Sequence, residues 1–197
     1  MSKVEQQVSY LLELDKLKAI YRKALIKCDN NRYENSAEHS WHAAMAAIVL
    51  AEHLPQTVNL LTVVHMLLIH DIVEIDAGDT FAFGEQGDLD AQHQKEVDAA
   101  NRIFGLLPEQ QAETFIAVWQ EFEQGETAEA QYAKTIDRLM PFIQNMQNEG
   151  GSWKQHGISK SQVIKRNQHT QFVSDSLWQY ITAQMDLAVL NGWLLNE

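Results

Sequence analysis

Cysteine and long apolar runs are both scarce in this sequence, and each shortage excludes a class of protein. The single cysteine, Cys28, excludes an internal disulfide and any metal site built from several thiolates. The longest nearly apolar run, at about 60–69, is too short to cross a bilayer as a helix. The N-terminal stretch MSKVEQQVSYLLELDK also lacks the continuous apolar segment of a signal peptide. We therefore expect a soluble cytoplasmic protein with no membrane partner.

Basic residues are scarce as well. The chain has 15 lysines and arginines against 27 aspartates and glutamates, which gives a net charge of −12 at pH 7. Its basic residues are scattered, whereas proteins that coat nucleic acid cluster them on one surface. The composition therefore argues against an extended nucleic-acid partner. A small phosphorylated ligand stays compatible, because one metal ion or a few cationic side chains in a pocket suffice to bind it.

Glycine and proline are few, and they separate segments whose apolar residues recur with a helical period. The chain has nine glycines and three prolines, and its 197 residues are enough for one domain with a real core. No stretch alternates with period two for long enough to require a strand. The sequence therefore predicts an all-α fold, with roughly eight to ten helices in a single domain over residues 1–197.

The same punctuation predicts where helices begin and end. The first helix is expected over 4–25, the second from the N-cap Ser36 to Pro55, and the third over 58–75 with Gly78 as its stop. A loop containing FAFGEQG follows. Later helices are expected to close at Gly105, to open at Pro108 and at the N-cap Thr127, to kink at Pro141, to end at Gly150-Gly151, and to resume over 159–172 and 176–195.

The stretch LLIHDIVEIDAGDT carries acidic groups straight out of a core-like run. On a helix, His70, Asp71 and Glu74 would share one edge, since they are three or four residues apart. Burying bare carboxylates there is costly without a compensating charge, and a divalent cation would supply it. Imidazole with carboxylate suits Mn, Fe, Co, Ni or Zn, and the oxygen ligands also admit Mg. One edge offers only part of a ligand set, so the rest must come from other helices.

Two further ligand candidates are visible, and each has an ordinary alternative. His39 lies early in the second helix, and it would otherwise be a capping or core histidine. Asp137 lies among apolar neighbours, and it would otherwise form a structural ion pair with Arg138. Asp76 is expected to be a solvated acid at a helix end. The remaining central histidines are expected to be ordinary surface or core residues: His42, His53, His65 and His93.

The order of these residues resembles that of a known family. The pattern H…HD…D is that of the HD-domain metal-dependent phosphohydrolases, and more narrowly of the branch with bacterial 5′-deoxynucleotidases and their eukaryotic HD-domain-containing relatives. Five spaced elements of that branch are present in order over most of the chain. They are Arg32-x-Glu34-x-x-x-Glu38-His39; His70-Asp71-x-x-Glu74-x-x-x-Gly78-Asp79; Glu96; Trp119-x-Glu121-Phe122-Glu123; and Ala133-Lys134-x-x-Asp137.

The resemblance implies a single HD domain, with a metal-site core at about 15–145 and C-terminal helices at 160–195 packed on it. It implies one divalent metal ion (Mn, Co, Fe, Mg, Ni or Zn), a homodimer, and removal of the 5′-phosphate from a nucleoside monophosphate, with a preference for deoxynucleotides. The implied metal ligands are His39, His70, Asp71 and Asp137.

The resemblance also implies roles around the metal. Glu74 and Asp79 are the expected catalytic acid–base or water-positioning groups. Arg22 is the best match to a substrate-contacting arginine in the first helix of that branch. Arg22, Arg32 and Lys134 are candidates to neutralise the phosphate charge, although Arg32 has the alternative of pairing with Glu34 or Glu38.

The chain departs from the family pattern around the expected base and sugar pocket. After Asp79 it runs TFAFGEQGD, with two phenylalanines and no proline; Asp76 replaces a typically apolar residue, and Lys23 an aromatic one. Substrate identity therefore stays open. The alternatives are a hydrolase for nucleoside triphosphates or for phosphodiesters such as cyclic nucleotides, a metal-containing nucleotide-binding regulatory protein with little turnover, and a plain helical interaction module.

Overall fold

A computed structural model describes residues 1–80, 83 and 86–196, apart from the side chains of 86–90. Most of the predicted FAFGEQG loop, namely Phe81, Ala82, Gly84 and Glu85, lies outside the described residues. Two strands are present, β1 (Tyr21–Ile26) and β2 (Arg32–Asn35). The helices are α1 (Lys3–Leu14), α2 (Ser36–Leu50), α3 (Leu60–Ile69), α4 (Glu74–Ala77), α5 (Gln86–Phe104), α6 (Glu109–Gln124), α7 (Ala128–Gln147), α8 (Gly151–His156), α9 (Lys160–Asn167), α10 (Thr170–Val173) and α11 (Asp175–Leu190).

Helix α7 forms the centre of the helical bundle. It packs against α2, α3 and α6, and the C-terminal helices α8 to α11 share the same apolar core. Ala43 and Ala47 on α2 are fully buried, and their small side chains let the neighbouring helices approach closely. The hydroxyl of Tyr132 on α7 donates to the Ala47 carbonyl at 2.8 Å. The predicted all-α class is confirmed, with one short hairpin added.

The prediction of a first helix over 4–25 is wrong in its second half. Helix α1 ends at Leu14, a 3-10 turn follows, and β1 then pairs antiparallel with β2. Asn30 and Asn31 turn the chain with φ of 52° and 57°, a region that asparagine tolerates. The Leu25 carbonyl accepts from the Asn148 side chain at 2.7 Å. Tertiary partners thus satisfy this backbone, and they override an apolar spacing that by itself favours a helix.

The predicted third helix is broken in three. Helix α3 ends at Ile69, residues His70–Val73 form a 3-10 turn, and α4 follows. The turn places His70 and Asp71 at the junction instead of along one continuous helix. The predicted stop at Gly78 is confirmed, since its N–H donates to the Glu74 carbonyl at 2.9 Å.

The N-cap of α2 is Asn35, not Ser36 as the sequence predicts. The Asn35 side chain accepts from the Glu38 N–H at 3.0 Å, and the Glu38 carboxylate accepts from the Asn35 N–H at 3.2 Å. Ser36 is thereby left free for a different contact, with Glu74. The other predicted cap, Thr127, is confirmed, because its hydroxyl accepts from the Ala130 N–H at 3.2 Å. Among the described residues, no helix combines the length and apolarity that crossing a membrane requires.

Candidate metal centre

Three of the four predicted metal ligands meet inside the bundle. His39 comes from α2, His70 from the 3-10 turn and Asp137 from α7, and one potential ligand atom of each lies within 4.8 Å of the others. The Nε2 atoms of His39 and His70 lie 3.0 and 3.5 Å from Asp137 Oδ1. The two imidazoles are 0% and 5% exposed. Side chains distant in sequence therefore form one compact, buried group.

The orientation of His70 suits a metal ion. His70 Nδ1 lies 2.9 Å from the Leu67 carbonyl, which can only accept, so Nδ1 carries a hydrogen and Nε2 is the ring nitrogen that faces the group. That Nε2 is buried and has no hydrogen-bond partner among the described residues. Two neutral imidazoles and a carboxylate are the donor set that a divalent first-row ion takes. The residues therefore fit the divalent metal that the sequence predicted.

Glu34 lies on the Nδ1 side of the His39 ring, a contact that sequence reasoning did not assign. Its Oε2 lies 3.5 Å from His39 Nδ1, and its Oε1 accepts from the Gln144 amide at 2.5 Å. The two atoms are just beyond hydrogen-bond geometry, and Glu34 is the carboxylate placed to orient the imidazole with Nε2 towards the metal position. The only sequence signal for this role was the place of Glu34 in the R-x-E-x-x-x-E-H element.

Asp71, the fourth predicted ligand, stands beside this group. Its Oδ1 lies 3.0 Å from His70 Nε2, and its Oδ2 accepts from Arg22 Nη1 at 2.5 Å. Burial by itself would lower the pKa of His70, but Asp71 and Asp137 outweigh it and raise the pKa to about 9. Burial would likewise raise the pKa of Asp137, but the hydrogen bond with His39 and the close approach of His70 hold it well below its usual value.

Arg22 is the charge that compensates the surrounding acids. Carboxylate oxygens of Asp71, Asp137, Glu74 and Glu34 lie between 2.5 and 4.0 Å from its guanidinium nitrogens. Burial by itself would lower the pKa of Arg22, yet the charges of Asp71, Glu74, Asp137 and Asp79 outweigh it and raise the pKa. Arg22 thus lies among the predicted site residues, on β1 and not on a first helix, and its contact with substrate stays a prediction.

Both predicted catalytic acids line a cavity of about 170 Å³ next to the metal centre. Burial, followed by the nearby Asp71 charge, raises the pKa of Glu74 well above its usual value, although the Ser36 hydroxyl donates to Glu74 Oε2 at 2.5 Å. Burial also raises the pKa of Asp79. Desolvation, more than repulsion from neighbouring carboxylates, is the larger cause in both cases.

Lys23, Thr80 and Phe83, which the sequence placed around the base and sugar pocket, also line the cavity, but another part of its wall comes from residues that sequence reasoning did not place there. Arg138 lies on α7, and Arg166 and Asn167 lie on α9. Val163, Arg166 and Asn167 are spaced i, i+3 and i+4, so one face of α9 lines the cavity. That spacing was visible in the sequence, but nothing in it indicated that α9 approaches the metal centre.

Two predicted substrate-binding residues, Arg32 and Lys134, lie outside the described cavity wall. Arg32 is 40% exposed and pairs with Asp29 and with Glu38, at 2.6 Å from the latter. Lys134 donates to the Glu123 carbonyl at 2.9 Å, and its ammonium lies 5.0 Å from the centre of the Phe122 ring. The described lining of the cavity includes neither residue. The alternative of a surface pair with Glu38 is thus what the structure shows for Arg32.

The expected surroundings of Arg138 and Asp76 are also wrong. Arg138 does not pair with Asp137; its Nη1 donates to the Arg166 carbonyl at 3.1 Å and to His169 Nδ1 at 2.9 Å. Asp76 is not simply solvated, since its Oδ1 accepts from Arg102 Nη2 at 2.8 Å. The reason is the same in each case: helices distant in sequence supply the partners.

The remaining histidines lie apart from the metal centre. His65 packs its ring against Phe115 at 4.9 Å, as a core histidine would. His93 is exposed, and with Glu96 and Glu123 it forms a second, more open group of potential ligand atoms between α5 and α6.

Comparisons with known proteins agree with this fold and site. The family model described as "HD domain" matches residues 14–178, so the chain belongs to the HD-domain family. The chain is similar to the crystal structure of a predicted metal-dependent phosphohydrolase from Magnetospirillum magnetotacticum MS-1, with 46% sequence identity and a TM-score of 0.92. The match covers 98% of this chain and 96% of that protein's chain. The predicted membership of the HD-domain metal-dependent phosphohydrolases is confirmed.

More distant relatives carry a more specific name. The 5′-deoxynucleotidase HDDC2 of Homo sapiens is 26% identical over 142 residues, which are 72% of this chain and 68% of that protein. The protein of the same name from Bos taurus is 27% identical over 143 residues, 72% of this chain and 67% of that protein.

Proposed function

We propose that this protein is a divalent-metal-dependent phosphohydrolase that removes the 5′-phosphate from (deoxy)nucleoside monophosphates. The observation that carries the proposal is the buried group of His39, His70 and Asp137 next to a cavity lined by Arg22, Glu74 and Asp79. The names of the relatives support the monophosphate substrate. At about a quarter identity they make it a hypothesis about this chain that needs a direct measurement.

His39, His70 and Asp137 would hold the ion, and we infer that Asp71 completes the set. Its Oδ1 already lies 3.0 Å from His70 Nε2. A divalent ion in this position supplies Lewis-acid polarisation of a phosphoryl oxygen and a lowered pKa for water, from ~16 towards ~7 in the zinc case.

The remaining groups match the proton transfers of phosphomonoester hydrolysis. Glu74, which lines the cavity, orients the attacking water and accepts its proton. Asp79, whose pKa is raised by burial, lines the same cavity and is the group placed to pass a proton to the leaving 5′-oxygen. Arg22 stays charged next to both acids and limits the repulsion between them and a phosphate group.

The test is a metal-reconstitution screen. The protein is stripped of metal, reloaded separately with Mn, Co, Fe, Mg, Ni and Zn, and assayed for phosphate release. The substrates are dAMP, AMP, dATP and cyclic AMP. We expect release from the 5′-monophosphates in at least one metal form, and none from the stripped protein.

A matched pair of variants links turnover to the metal centre. His70→Gln should lose metal in elemental analysis, whereas His65→Gln, whose ring packs on Phe115, should retain it. Phosphate release from dATP or cyclic AMP, with none from monophosphates, would support the other hydrolase activities. Stabilisation by nucleotides without hydrolysis in any metal form would support a binding protein instead.

A further inference from the structure

Two arginines of the cavity wall have no acidic partner in the part of the chain that the structure describes. Arg138 donates only to neutral acceptors, the Arg166 carbonyl and His169 Nδ1. Among the described residues, no carboxylate oxygen lies within the 4.0 Å salt-bridge distance of the Arg138 or Arg166 guanidinium. Arg22, in the same cavity, has four such carboxylates. The α7 and α9 side of the cavity therefore carries positive charge that its nearest contacts do not compensate.

Leaving these charges uncompensated is unfavourable. Burial lowers the pKa of the Arg166 guanidinium, and the charge of Arg22 lowers it further. Partly buried charges are normally paired, because an unpaired charge loses hydration without gaining an interaction. An anionic ligand between the two arginines would remove this cost.

A chain of neutral hydrogen bonds holds Arg138 in place. Burial and the nearby Arg138 charge lower the pKa of His169 to about 4, so its imidazole is neutral near pH 7. Its Nδ1 accepts from Arg138, and its Nε2 lies 3.0 Å from the Thr135 hydroxyl. That hydroxyl in turn donates to the Gln131 carbonyl at 2.9 Å. Arg138 is thus oriented by partners that leave its charge available.

Asn167 adds an independent sign of a missing ligand. It is 4% exposed and lines the cavity next to Arg166. Its amide nitrogen donates to the Val163 carbonyl at 2.9 Å, but its Oδ1 is buried and has no donor among the described residues. A buried acceptor without a donor costs free energy unless a ligand supplies the donor.

We propose that Arg138 and Arg166 form an oxyanion subsite of the cavity, and that Asn167 Oδ1 accepts from a hydroxyl or amino group of the same ligand. A guanidinium matches phosphate oxygens with two parallel N–H donors, which makes a phosphorylated small molecule the fitting class. The charges of Asp137 and Asp79 act on Arg166, in keeping with a subsite beside the metal centre. The identification of this anion as the phosphate of the substrate rests on the proposed function.

The test compares Arg166→Gln with Lys165→Gln, an exposed neighbour on α9. In the metal-loaded protein, inorganic phosphate should raise the melting temperature of the wild type and of Lys165→Gln. Arg166→Gln should lose most of that shift, and Arg166→Lys should recover part of it. With a 5′-monophosphate substrate, Arg166→Gln should raise KM by roughly 10-fold to 100-fold, the loss expected for one charged hydrogen-bonding group. Metal content should not change.

The outcomes separate this subsite from the proposed function. If no 5′-monophosphate is hydrolysed, but phosphate stabilises the wild type and not Arg166→Gln, the function fails and the subsite stands. If Arg166→Gln and Lys165→Gln respond alike to phosphate and have the same KM, the subsite is refuted. Should Arg166→Gln fail to fold, Asn167→Asp tests the subsite instead. A carboxylate beside Arg166 should abolish the rise in melting temperature with phosphate. If Asn167→Asp keeps that rise, the subsite is refuted.

Discussion

At the scale of single residues, the surroundings of Glu74 give the sharpest prediction about catalysis. Glu74→Gln keeps the shape of the side chain but removes a group able to accept a proton. We expect stoichiometric metal in elemental analysis and a kcat about 10²-fold to 10⁴-fold lower, the usual contribution of a general base. Asp76→Asn is the control, because Asp76 pairs with Arg102 and does not line the described cavity. Unchanged turnover in Glu74→Gln would remove Glu74 from the chemistry.

Glu34 is predicted to act on the metal through His39. Glu34→Gln weakens the hold on His39 Nδ1, and losses of this kind typically cost 10-fold to 100-fold in metal affinity. Competition with a chromogenic chelator would measure the change. The control is Glu38→Gln, since glutamine also completes a capping box and Glu38 pairs with the partly exposed Arg32. Equal metal affinity in both variants would mean that Glu34 serves only to pack the core.

At the scale of elements, the junction between α4 and Asp79 depends on one backbone conformation. Gly78 has φ 76° and ψ 156°, a region open almost only to glycine, and an added Cβ would meet nothing within 4 Å. Gly78→Ala should therefore cost about 1–3 kcal/mol of unfolding free energy through strain alone. Because relief of this strain would move Asp79, turnover should fall as well.

The control for Gly78→Ala is Gly157→Ala. Gly157 also has a positive φ, 61°, with open space around an added Cβ, but it caps α8. It should lose about 1–2 kcal/mol in urea unfolding without loss of kcat. Full activity in Gly78→Ala would show that the position of Asp79 does not depend on this turn.

The elements also show where sequence reasoning worked and where it failed. The helix stop at Gly78 and the N-cap at Thr127 were predicted because caps and stops depend on a few adjacent residues. The hairpin of β1 and β2 was missed because the apolar spacing over 4–25 fits a helix, whereas the strand pairing is supported by a partner distant in sequence, Asn148. The break of α3 at His70 was missed for the same reason, since the turn is held by packing against neighbouring elements.

At the scale of the whole molecule, His169 makes stability depend on pH. Its pKa is about 4 in the folded protein, against an ordinary value of 6.5. As pH falls below 6.5, the unfolded chain takes up a proton that the folded protein does not, so stability is lost between about 6.5 and 4. His169→Gln should lose less unfolding free energy than the wild type between pH 7.5 and pH 5.

Urea unfolding at the two pH values measures this difference. His53→Gln serves as the control, because His53 is exposed and its variant should follow the wild type. If His169→Gln and His53→Gln lose the same free energy on acidification, His169 does not stay neutral in the folded protein. The result also bears on the oxyanion subsite, since a neutral His169 is what orients Arg138.

The sequence by itself determined the helical class and the candidate metal ligands. Ionisable groups inside apolar helices need a compensating partner, which drew attention to His70 and Asp137, and the resemblance to the HD-domain family completed the ligand set with His39 and Asp71. Only the tertiary structure decided which charges are compensated. Arg22 has four carboxylates around it, whereas Arg166 has none within salt-bridge distance among the described residues. That difference depends on distance and burial in space, and the packing of β1 and α9 against α7 sets both.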